Sequence, residues 1–141
     1  MHPQALDDDT LLRLFESCEL PNTQFKHAEH IRVAWTLLSR HPLLEALQRF
    51  RGDLKAYAVH NRVPGLYNET ITCFYMLLIR ERMDGMAVSC GWREFAEGNP
   101  DIFAYPKAFL ETYYPAGLAF TEQAKQAFLL PQPLDSPSRA A

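Results

Sequence analysis

Residues 24–40 read QFKHAEHIRVAWTLLSR, and this stretch decides the fold. Ile31, Ala34, Trp35 and Leu38 recur at the spacing of one helical face, and Val33 and Leu37 widen it. On a wheel of about 100° per residue, Glu29, Arg32, Thr36, Ser39 and Arg40 share the opposite arc. A helix is therefore expected from about Gln24 to Arg40. His41-Pro42 ends it, because the residue before proline avoids the α region.

The same reading extends in both directions. Pro42 suits the first turn of a helix reaching about His60. Pro64-Gly65 marks a turn within Asn61 to Leu66. A further helix spans about Asn68 to Met83 and stops at Asp84-Gly85; it is apolar nearly all round, so it should be central. Upstream, Asp9 is a good N-cap for a first helix that stops before Pro21. Downstream the expected helices are short: about Cys90 to Glu97, Pro106 to Tyr113, and Glu122 to Phe128 behind an N-cap at Thr121.

Composition agrees with helices throughout. Leu and Ala number 19 and 16, while the strand-favouring Val and Ile number 4 each. The expected fold is all-α: a compact helical bundle of about four main helices plus short C-terminal helices. Residues 1–130 would form one domain and 131–141 a flexible C-terminal tail. Nine of the 17 aromatic residues lie at Trp92 or beyond, so the C-terminal third must pack.

Composition also excludes function classes. A hydrophobic content of 48% excludes intrinsic disorder, and a net charge of −3 gives no basic stripe for nucleic acid. No apolar run approaches the ~20 residues of a membrane span, and the N-terminus has no signal-peptide pattern. Cys18, Cys73 and Cys90 are widely spaced, with no CxxC pair, so no cysteine-built zinc site or disulfide framework is supported. A cytoplasmic location is expected.

The polar residues on inner faces carry the chemical signal. His27 and His30 both fall inside the apolar arc of their helix, about 60° apart, so they can share a pocket. Buried imidazoles need hydrogen-bond partners. Two core histidines satisfied by backbone carbonyls or by each other would explain them; a functional site would too. His60 falls opposite the apolar face of its helix, where charge complementarity at a C-terminus is its expected role. Glu69 sits in the first turn of the central helix, where the helix dipole favours a carboxylate, and Tyr67 and Asn68 flank the same opening. It is either ordinary first-turn charge or a partly buried carboxylate beside a histidine. His27, His30 and Glu69 could ligate a divalent metal with an open position, although the spacing is not that of a zinc peptidase. There is no nucleophile elbow, phosphate loop or dinucleotide fingerprint, and Cys73 reads as packing.

The string FKHAEHIRVAW (residues 25–35), followed by YNETIT (67–72), resembles a family of small uncharacterised bacterial all-α proteins with F-x-H-x-x-H and Y-[HN]-E-T motifs. The resemblance continues through WREF (92–95), NPD (99–101) and FLLP (128–131), covering about residues 25–131. It directs attention to the same histidines and glutamate. In that family the position of Asn68 is often histidine, so asparagine departs from a pattern that would place a metal ligand there.

Two functions are expected from these residues. In the first, the chain binds or converts a small molecule in a pocket lined by Trp35, Tyr67, Phe74 and Tyr114. His30 is then the acid or base, Glu69 orients it, and His27, Asn68 or a divalent metal assists. In the second, the chain is an interaction or regulatory module without chemistry, and the His/Glu cluster is a structural network.

Overall fold

A computed structural model of the chain describes residues 5–87 and 90–132. Asp7 opens the first helix: its carboxylate accepts the Thr10 N–H at 2.7 Å, and α1 runs Asp8–Glu16. Of three successive aspartates, Asp7 takes the capping position expected for Asp9. Asp8 and Asp9 instead pair with Arg32 and Arg40 across the interface with the next helix.

Residues Asn22–Gln24 form a turn of 3-10 helix, and α2 follows at His27–Arg40. This helix starts three residues later than its periodicity suggests. Glu29 fixes the start by accepting the Lys26 N–H at 2.8 Å. α3 spans Leu43–His60 after Pro42. A 3-10 turn at Pro64–Leu66 leads into α4, Glu69–Asp84. Asn68 caps α4, its Oδ1 accepting the Ile71 N–H at 2.9 Å.

The later helices are short. α5 is Trp92–Gly98, α6 is Pro106–Leu110 and α7 is Glu122–Gln126; Thr121 caps the last as expected. The described residues form seven α-helices and no strand, so the chain is all-α. None of these helices is long and apolar enough to cross a membrane.

α4 is the central element. It packs against α2, α3 and α7, and buries Phe74, Tyr75, Met76, Leu78 and Ile79. On one side of the core, the Phe15 ring lies 4.9 Å from Phe25, 5.9 Å from Phe50 and 5.5 Å from Tyr57. On the other, Phe74 lies 4.8 Å from Tyr113 and 5.6 Å from Tyr114. These edge and tilted contacts suit the quadrupoles of the rings.

The wheel of α2 misplaces one residue. Thr36 falls on the polar arc, yet it is only 2% exposed. α1 covers that arc, and the Thr36 hydroxyl is satisfied by the Arg32 carbonyl one turn back, at 2.8 Å.

The C-terminal segment is held by the first turn of α4. The Thr70 hydroxyl, fully buried, donates to the Ala127 carbonyl at 2.9 Å and accepts the Leu129 N–H at 3.0 Å. This pull ends α7 at Gln126, short of the expected Phe128. Tyr114 donates to the Leu129 carbonyl at 2.8 Å, and the Gln132 N–H reaches the Tyr113 carbonyl at 2.8 Å. Most of the expected tail lies outside the described residues.

Thr70→Val keeps the side-chain shape and removes both bonds. Ala127 is exposed and Leu129 half-buried, so each lost bond costs roughly 0.5–1.5 kcal/mol. The expected result is a melting temperature lower by several degrees, with faster amide exchange at Leu129. An unchanged melting curve and unchanged Leu129 exchange would refute this anchoring role.

Candidate functional site

The end of α3, the connector before α2 and the start of α4 line a cavity of about 580 Å³ that is open to solvent. Leu54, Tyr57, Ala58 and Ile71 supply much of its wall, with Val63 and Leu66 from the intervening turn. Its polar residues include His30, Tyr67 and Asn68, three of the residues singled out by sequence.

His30 sits in the first turn of α2, with its ring stacked on Phe25 at 3.9 Å and 19° between planes. It is half-buried, and it faces the cavity. Burial, and secondarily the nearby His27, lower its pKa from 6.5 to about 4. The imidazole is therefore neutral at physiological pH, with one nitrogen a donor and the other an acceptor.

His27 does not line this cavity. It ties α2 to the 3-10 turn at Pro100–Phe103: its Nε2–H donates to the Ile102 carbonyl at 2.9 Å, and its ring meets the Tyr75 ring edge-on at 5.2 Å. The backbone-satisfied reading holds for His27. Asn68 lines the cavity, but both ends of its amide are engaged: Oδ1 caps α4, and Nδ2 donates to the Ala119 carbonyl at 2.8 Å. Its position therefore serves the fold first.

Glu69 requires a correction. Its carboxylate does not orient His30. Arg51 of α3 takes it in a two-pronged pair, Nε to Oε1 at 2.9 Å and Nη2 to Oε2 at 2.5 Å. The Tyr67 hydroxyl adds a third bond to Oε1 at 2.6 Å. Arg51 holds the Glu69 carboxyl below the usual carboxylate range, and burial raises the Tyr67 hydroxyl well above its own. This network lines a separate polar groove of about 410 Å³ with Lys55, Glu122 and Lys125. Tyr67 lines both spaces, and its hydroxyl is committed to Glu69.

Trp35 and Tyr114 also leave the pocket. Trp35 lines a third space of about 380 Å³ beside Arg80, its ring 5.8 Å from Trp92. Tyr114 is 2% exposed and belongs to the aromatic core around Phe74. The metal expectation fails on geometry. Among the described residues no three His, Cys, Asp or Glu side chains come together, so His27, His30 and Glu69 form no ligand set. Burial raises the Cys73 thiol pKa, as its packing role requires. His60 is exposed at the end of α3.

Several site residues carry signals that the wheels do not rank. Arg51 sits one turn from Leu47 and Leu54 on the α3 stripe, a charge on an apolar face. Phe25, five residues before His30, lies outside both helices; only the structure shows the two rings stacked. Comparison of the chain with protein-family models, with curated proteins and with solved structures found no match.

The lowered pKa of His30 fixes a pH dependence. Between about pH 6.5 and about pH 4 the unfolded chain binds a proton at this residue and the folded chain does not. Stability therefore falls as pH drops through that window and the loss is complete near the lower value. The expected loss is about 2 kcal/mol, discounted from the full shift because the ring retains some exposure. Urea unfolding across the window should show this slope in the wild type and a flatter curve in His30→Gln. Equal slopes would mean that another group carries it.

Proposed function

We propose that the chain binds a small, largely apolar molecule in the cavity of about 580 Å³ formed by α3, the connector before α2 and the start of α4. A mostly apolar concave space with a few polar groups is the usual form of a small-molecule site. The observation that carries the reading is the placement of His30. It lies stacked on Phe25 at the wall of this cavity, and no protein hydrogen bond to its ring is found among the described residues. A ligand atom meeting that ring would satisfy it.

Binding is favoured over conversion. An imidazole with a pKa of about 4 is a weak base at neutral pH, whereas a general base works best near the operating pH. The carboxylate that would raise that pKa is engaged by Arg51. His30 then acts as a neutral hydrogen-bonding group that selects and orients the bound molecule. The Arg51–Glu69–Tyr67 network supports the structural part of the alternative reading, since it fixes Tyr67 as a wall. A cytoplasmic setting accords with Cys18, Cys73 and Cys90 remaining free thiols.

The test uses Nile red, a neutral dye whose emission rises in apolar surroundings. Ile71→Trp fills the cavity, and Leu77→Trp places the same side chain on a partly exposed residue away from it. The wild type and Leu77→Trp should bind the dye alike, and Ile71→Trp at least tenfold more weakly with its helical circular dichroism intact. Equal binding by all three would refute the cavity as the site.

A further inference from the structure

The cavity is polarised, and its polarity has one sign. Its polar mouth comes from the connector, where Asn22, Thr23 and Lys26 line it; its aliphatic wall comes from α3, the Pro64–Leu66 turn and α4. Several polar groups of that inner wall are already committed to protein. Tyr57 donates to the Leu20 carbonyl at 2.6 Å, Tyr67 to Glu69, and the Asn61 amide to the Tyr57 carbonyl at 2.8 Å. The interior is thus more apolar than its residue list suggests.

Among the lining residues, Lys26 is the one with a formal charge, since His30 is neutral, and none is an aspartate or glutamate. The Lys26 ammonium makes no ion pair among the described residues. The acid nearest in sequence, Glu29, accepts the Lys26 backbone N–H and does not line the cavity. Lys26 also precedes the first turn of α2, a helix of 14 residues whose positive end adds to the same field.

We propose that the ligand is an amphiphilic monoanion, an aliphatic or aromatic carboxylate whose head lies at Lys26 and whose apolar body fills the space between Leu54, Ala58 and Ile71. The assignment rests on the cavity being a ligand site. A carboxylate at the mouth keeps its charge near water and near the cation, while the tail leaves water. A cationic head would meet Lys26, and no acid lines the cavity to pair with it. A doubly charged ligand would leave one charge without a partner. Each methylene added to the tail should tighten binding roughly fourfold until the cavity is full.

The experiment measures displacement of Nile red from the full chain at neutral pH by octanoate, octanol and octylamine. Octanoate is expected to bind about tenfold or more tightly than octanol, with octylamine weakest. Lys26→Gln should bring octanoate to the level of octanol and leave octanol unchanged; Lys26→Arg should retain the preference. Octanol or octylamine binding as tightly as octanoate, or a preference that survives Lys26→Gln, overturns the anion assignment while leaving the cavity as a site. Failure of all three to displace the dye overturns both.

Discussion

The Thr70 hydroxyl is the hydrogen-bonding centre that holds the segment after α7 to the central helix. Helices of five to seven residues are unstable alone, because nucleation costs more than so few bonds return. α5, α6 and α7 therefore need tertiary anchors. α5 packs on α2, and α6 packs on the Pro100–Phe103 turn. Residues at the start of α4 hold the later segment and α3, each through a different partner. Asn68 reaches the Ala119 carbonyl, Glu69 reaches Arg51 of α3, and Thr70 holds both Ala127 and Leu129. One turn of the central helix thus fixes the cavity wall and the chain's last described segment together.

Helix limits were largely legible because they are set locally. Pro42 and Pro106, and the caps Asn68 and Thr121, act within three or four residues of the boundary they determine. The errors arise where a competing local choice or a distant partner decides. Asp7 displaces Asp9 as cap because Asp8 and Asp9 find arginines on α2. α7 stops early because the Ala127 and Leu129 backbone turns to Thr70. Thr36 is buried because α1 covers an arc that a lone wheel assigns to water.

The site was legible in part for the same reason. A wheel shows which residues share a face, so it singles out His27 and His30 together, and only His30 borders the cavity that Tyr67 and Asn68 also line. It does not show what lies opposite that face. Glu69 is one residue from Asn68, yet its carboxylate turns to α3, where Arg51 offers two donors in a planar fork. Neutral His30 offers a carboxylate a single donor and no charge. The stronger partner decides the rotamer, and that partner lies 18 residues away in sequence.

The two titrating groups inhabit different surroundings. Both pKa values are lowered, and the same direction means opposite things. For Glu69 it reports a charged form favoured by Arg51 and Tyr67. For His30 it reports a charged form disfavoured by burial and by His27. A carboxylate hydrogen-bonded to His30 would raise the imidazole pKa and keep its own low, which is the signature of an acid–base pair. Here the charge-stabilising network and the cavity share one lining residue, Tyr67, whose hydroxyl is bonded to Glu69. That division keeps the Arg51–Glu69 ion pair out of the apolar space, where a bound molecule would meet the neutral imidazole and Lys26.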